Sequence, residues 1–267
     1  MITRRRLLSS VSLLAIPWLS SKSKTFSPRA FLSGSTSQIP ANFPSQDPER
    51  VRRFVGVSHG NIAVVQDMLK ESPALAKATV DWGFGDWETA IGAASHVGNR
   101  EIAALLIDHG ARPDLFTFAM LGQLEVVKAY IDLSPGIQRI RGPHGFTLMH
   151  HAKQGGKGSE AVVAYLEKVG DADIGPVSLR MTDEEKQRFV GIFTSDGEEA
   201  VRFEFSISQF SNIAIKRETY GISRDLNYIG NNEFAPIGAD AVRVRFNAGL
   251  TECTIVDGPM KVALSRV

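Results

Sequence analysis

The chain has 267 residues, 43% of them hydrophobic and 22% charged, with a formal net charge of +1. This is ordinary globular composition and excludes a mainly disordered chain, while the missing basic excess argues against a nucleic-acid footprint. The single cysteine, Cys253, rules out an internal disulfide and any zinc site built on two or more cysteines, so stability has to come from packing.

Residues 1–30 have the form of an export leader. Arg4, Arg5 and Arg6 supply a positive start, and the stretch from Val11 to Leu19 supplies a short apolar run. The order Thr3-Arg4-Arg5-Arg6-Leu7-Leu8 resembles the bacterial twin-arginine signal, which implies export of an already folded cargo. The expected location is therefore the periplasm or the cell exterior, with the membrane touched only through an uncleaved leader. No run reaches the length of an ordinary transmembrane helix. Residues 31–48, rich in Ser and Pro, read as a flexible linker.

Helical periodicity begins near Glu49. Ile62, Val65, Met68 and Leu69 recur at steps of three and four, which places them on one helix face. The same pattern returns at Ile102 to Leu106, at Val126 to Ile131, and more loosely at Ala161 to Leu166. Each copy follows a small-Gly-polar phrase: Gly60-Asn61, Gly98-Asn99, Gly122-Gln123 and Gly158-Ser159. A glycine suits a left-handed helix end, and the polar residue after it suits the start of the next helix. Thr89 followed by Ala93-Ala94, and Thr147-Leu148-Met149-His150-His151-Ala152, resemble the Thr-Pro-Leu-His-x-Ala opening of ankyrin repeats. That resemblance covers residues 49–173 and implies about four stacked helix pairs, an α-solenoid. Gly60 and Gly98 lie 38 residues apart and Gly98 and Gly122 only 24, against a usual period of about 33. The long interval predicts an extended loop between Ala76 and Glu88. The short one predicts a third repeat with no β-hairpin finger before it.

Ankyrin proteins bind through their finger loops and first helices, so the resemblance directs attention to two loops. The first, Asp81-Trp82-Gly83-Phe84-Gly85-Asp86-Trp87, joins aromatics and acids in a Gly-bent segment. Such aromatics are enriched at binding hot spots, and Asp81, Trp82, Phe84, Asp86 and Trp87 are the expected partner-binding residues. Packing of either Trp under the loop, and helix capping by Asp86, are the competing roles. The second loop carries Arg139, Arg141 and His144 and is expected to face the first, either pairing with it or sharing a bipolar ligand. His144, His150 and His151 resemble a metal cluster on paper. However, His150 holds the family's structural His position, and adjacent helical residues point about 100° apart. No metal and no cofactor are therefore expected. Gln154-Gly155-Gly156-Lys157-Gly158-Ser159 lacks both the first Gly and the preceding strand of a phosphate loop and reads as a turn.

Residues 174–182 form a second linker, and residues 183–267 change character. A short charged helix at Asp183 to Arg188 precedes a series of candidate strands: Phe189–Phe193, Ala200–Ser208, Asn212–Lys216, Arg224–Ile229, Glu233–Pro236, Ala241–Phe246, Glu252–Val256 and Lys261–Leu264. Val201, Phe203, Phe205 and Ile207 alternate onto one face. The series predicts a small antiparallel meander, curled into a barrel or half-barrel. The phrases Phe189-Val-Gly-Ile-Phe193, Asn232-Glu-Phe234 and Val244-Arg-Phe246 resemble the accessory β domain behind some serine β-lactamase-like hydrolases, which carries no catalytic residues. The Ser-x-x-Lys motif of the parent enzymes is absent, since Glu198 stands where Lys is needed after Ser195.

The expected fold class is thus α+β and multidomain, an ankyrin-repeat solenoid followed by a small antiparallel β domain. The expected function is a non-catalytic, exported protein-interaction scaffold with a protein or peptide partner and no catalytic residue. Two alternatives stand beside it. One is a small-ligand binder or cryptic enzyme at the β domain, with Tyr220, Tyr228, Arg243 and Arg245 lining a mouth. The other is an inhibitor or immunity-type partner of an exported hydrolase.

Overall fold

Local sequence explains why each helix starts where it does in the computed structural model, which describes residues 43–197 and 199–267. The expected leader and nearly all of the linker after it lie outside those residues. Asp47 caps α1 (Pro48–Val57) by accepting from the Arg50 amide at 2.8 Å. Asn61 and Asn99 do the same for α2 (Ile62–Glu71) and α4 (Arg100–Asp108). Thr89 caps α3 (Ala90–His96), Asp114 caps α5 (Leu115–Met120) and Thr147 caps α7 (Leu148–Gln154). A cap of this kind satisfies amides that have no partner within the helix. The remaining helices of this half are α6 (Leu124–Leu133) and α8 (Glu160–Val169).

The helices pair as the periodicity predicts, and the pairs lie side by side. Helix α3 packs against α1, α5 and α7, while α2 meets α4 and α6 meets α8. Ala90, Ala93 and Ala94 are wholly buried, which lets neighbouring backbones approach closely. Gly98 and Gly122 take the predicted left-handed conformation (φ 75° and 76°), and a side chain at either would collide with the carbonyl of Gln154 or Gly158 in the adjacent turn. Arg100 ties those turns together. Its guanidinium donates to the carbonyls of Met120, Leu121 and Gly155.

The stretch between Ala76 and Glu88 differs from the expected extended loop. It folds into a β-hairpin, β1 (Thr79–Asp81) against β2 (Trp87–Thr89), with Val80 opposite Glu88. Gly83 and Gly85 (φ 103° and 80°), together with Phe84 at φ 60°, turn the chain. Strands of three residues are too short to show an alternating pattern.

After α9 (Asp183–Gln187), whose start is a reciprocal Thr182–Glu185 capping box, come eight strands. They are β3 (Gly191–Thr194), β4 (Arg202–Ile207), β5 (Ile213–Arg217), β6 (Ser223–Gly230), β7 (Glu233–Pro236), β8 (Arg243–Phe246), β9 (Glu252–Asp257) and β10 (Met260–Arg266). Each falls within a few residues of its expected position. The sheet closes completely, with β10 pairing back onto β3 through Ser265–Thr194 and Arg266–Phe193, so it keeps no free edge. Aromatic side chains pack the core. Phe189, Phe193, Phe205, Phe234 and Phe246 meet edge to face at centroid separations of 4.9–5.9 Å. Residues 44–267 form one compact unit. Among the described residues, no helix is long and apolar enough to cross a membrane.

Candidate metal centre

Four ionisable side chains from four separate places in the chain converge beside the hairpin. His59 ends the first helix pair's inner turn, Glu88 lies at the centre of β2, His96 closes α3, and His144 stands in the turn before α7. The pleat of β2 turns Glu88 inward, wholly buried, and sends Trp87 outward, 62% exposed. One oxygen, Glu88 Oε1, faces all three imidazoles: His96 Nδ1 at 3.2 Å, His144 Nε2 at 3.4 Å and His59 Nε2 at 3.5 Å. The four atoms all lie within 4.8 Å of one another.

These contacts are longer than good charged hydrogen bonds, and Glu88 Oε1 and His96 Nδ1 are sealed from solvent without a well-aligned partner. Buried polar atoms in that condition are rare and costly. The far sides of Glu88, His59 and His144 are firmly held. His59 Nδ1 donates to the Gly56 carbonyl at 2.9 Å. His144 Nδ1 donates to Asp86 Oδ2 at 2.8 Å. Trp82 Nε1 donates to Glu88 Oε2 at 2.7 Å. A carbonyl and a carboxylate only accept, so both histidines carry a proton on Nδ1, and on loss of any second proton each turns an Nε2 lone pair towards the cluster. A tetrahedral zinc ion with ligands at about 2.0–2.1 Å has ligand–ligand edges of about 3.3 Å, close to the three separations from Glu88 Oε1. Three imidazoles and one carboxylate suit zinc and the other later first-row divalent ions.

The carboxylates and imidazoles of the cluster act strongly on one another's protonation. Burial alone would raise Glu88, but the three facing histidines hold its carboxyl far below the usual range. Burial works against protonation of His144, yet Asp86 and Glu88 push it up to about 9. Burial opposes a charge on His59 as well, but Glu88 leaves it raised. His96 is lowered, because burial there outweighs Glu88. Burial would raise Asp86, but His144 and Arg224 leave it lowered. Glu88 and His96 form the floor of the centre. His59 and His144, with side chains 32% and 22% exposed, form its rim.

The expected binding residues divide sharply in this setting. His144, Asp86 and Trp82 belong to the centre or support it. Asp81 shapes the hairpin turn, its Oδ1 accepting from the amides of Gly83 and Gly85. Phe84 packs on the barrel core. Arg141 pairs with Asp240 and Arg139 with Asp171. Of the expected binding residues in the first loop only Trp87 is broadly exposed. The two loops do meet, through Asp86 and His144.

His150 and His151 stand apart from the cluster. His150 bonds backbone, its Nε2 lying 2.9 Å from the His96 carbonyl. His151 is wholly buried and bonded to the Thr147 carbonyl. The partners of His144 are instead His59, Glu88 and His96, which motif spacing did not single out. The available signal was positional: His59 and His96 each precede the glycine turn of a helix pair and therefore stack. In the barrel, Arg243 and Arg245 both pair with Glu233, and Tyr228 packs on Phe234. Burial pushes the Cys253 thiol up to about 12, so it stays protonated at neutral pH.

No protein-family model matches the chain, and no curated protein matches it.

Proposed function

We propose that this chain is a metal-binding scaffold protein, in which a stack of ankyrin-like helix pairs is clasped by one divalent transition-metal ion, zinc being the reference case. His59, Glu88, His96 and His144 are the ligands. The observation that carries the reading is the convergence of a buried carboxylate oxygen and three imidazole nitrogens, with the outer atoms of Glu88, His59 and His144 already hydrogen-bonded. Ligands bonded on their far side are the mark of a metal shell held in one orientation. The role is binding rather than catalysis, with Trp87 on the exposed edge of the clasped hairpin offered to a protein or peptide partner. With residues 1–30 acting as an export leader, that partner belongs to the cell envelope.

Elemental analysis of the purified chain, followed by chelation and calorimetric titration with Zn2+, tests the proposal. The expected result is one metal per chain in the wild type and none in Glu88→Gln or His96→Ala variants that remain folded. A chelated, folded wild type that takes up no Zn2+, Co2+, Fe2+ or Mn2+ overturns it.

A further inference from the structure

The barrel reaches the centre through one side chain. Arg224, on β6, lies far along the chain from every ligand, yet it is 8% exposed and points into the hairpin. Its Nη2 donates to Asp86 Oδ2 at 2.5 Å and also to the Ile237 carbonyl. Asp86 in turn accepts from His144 twice, from the amide at 2.9 Å and from Nδ1 at 2.8 Å. A continuous path therefore runs from a barrel strand through one carboxylate to the far nitrogen of a ligand imidazole.

The packing around this path is close. A Cβ at Gly238, in the turn after β7, would stand 2.5 Å from the Asp86 carboxyl carbon. The side chain of Arg224 lies against Gly83. Phe84, from the hairpin tip, packs on the barrel core. Asp240 of the barrel pairs with Arg141, three residues before His144.

Resting on the metal-binding reading, we propose that Arg224 is a positioning residue of the metal centre and that the barrel is its outer wall. Asp86 is almost fully buried, and a carboxylate in that position is held in place by its hydrogen-bonding partners. Arg224 is the cation among them and anchors the outer oxygen. Asp86 then holds the His144 ring through its amide and Nδ1, with Nε2 facing the cluster. Without Arg224 the carboxylate loses its anchor, and the link at the rim of the shell loosens.

Cobalt titration of the chelated full-length chain tests this, with Co2+ affinity and the visible d–d spectrum as readouts. Arg224→Gln is expected to weaken Co2+ binding about 10- to 100-fold, the usual effect of losing an outer-shell partner, and to change the spectrum. Arg224→Lys is expected to recover most of both. Ile255→Val loosens the barrel core elsewhere and is expected to alter neither. A folded Arg224→Gln protein with wild-type affinity and spectrum overturns the role of Arg224, as does equal damage from Ile255→Val. If Arg224→Gln does not fold, Gly238→Ala decides, because it displaces Asp86 while keeping Arg224; unchanged affinity there also overturns the proposal. A wild type that binds no Co2+ at all overturns the metal reading itself and is distinct from these outcomes.

Discussion

His151 makes the protein acid-sensitive. Its ring is wholly buried, between Phe116 at 4.8 Å and the backbone of Gly142, and its Nε2 has no partner. Burial, reinforced by the nearby His150 and His96, pushes its pKa down to about 4 from the ordinary 6.5. The folded state therefore resists protonation, while the unfolded chain accepts a proton below 6.5. Stability from this residue is complete above that value and is lost as the pH falls towards 4. At pH 4.5 the loss amounts to roughly 2.5 kcal/mol, since each pH unit below the ordinary value costs about 1.36 kcal/mol. His151→Leu removes the titrating group at similar volume. The Thr147 carbonyl keeps a donor in the variant, the backbone amide of residue 151, so at pH 7.5 the variant is expected within about 1 kcal/mol of wild type. Urea unfolding of both proteins at pH 7.5 and 4.5, with chelator throughout, measures the double difference, in which the titrating groups not coupled to His151 cancel. The variant should lose about 2.5 kcal/mol less than wild type on acidification. Parallel losses in the two proteins would refute a buried neutral His151.

Other measurements bear on other parts of the molecule. Zn2+ at about 100 times its dissociation constant should stabilise the chelated wild type by about 2.7 kcal/mol in calorimetric melting and leave Glu88→Gln unmoved. Arg100→Met removes the side chain joining the Met120, Leu121 and Gly155 carbonyls; a loss of about 2–3 kcal/mol is expected in denaturant unfolding, since its bonds are charge-assisted. Phe205→Ala, at a fully buried site in the barrel, should cost about 3–5 kcal/mol, read from the same curves. Trp87→Ala should change stability by less than about 0.5 kcal/mol and reduce capture of an envelope partner in crosslinking. Trp82→Ala should instead lower zinc uptake, because Trp82 holds Glu88.

Much of the architecture was legible in the amino-acid order because local chemistry specifies it. Thr89, Asn99, Asp114 and Thr147 are strong caps, and each starts a helix where the pattern places one. All eight barrel strands were visible as short apolar runs punctuated by Asp-Gly and Asn-Asn turns. Closure of the sheet was not, since it depends on the pairing of β10 with β3, distant in sequence. The centre was hidden for a similar reason. Its ligands come from residues 59, 88, 96 and 144, and each has a plausible local role where it stands. The adjacent His150 and His151 suggest a cluster that spatial proximity does not support. Asp86 and Glu88 were visible as loop acids, but only the hairpin pairing shows Glu88 facing inward while Trp87 faces out.

The third helix pair contributes no ligand, and it has no hairpin before the six-residue helix α5. This thinness lets α7 reach past α5 to touch α3, and it brings His144 beside His96. The pair therefore acts as a gauge block. Its thickness measures the gap between His96 and His144, so a repeat of ordinary length there would keep all four residues in the chain but leave no cluster in space.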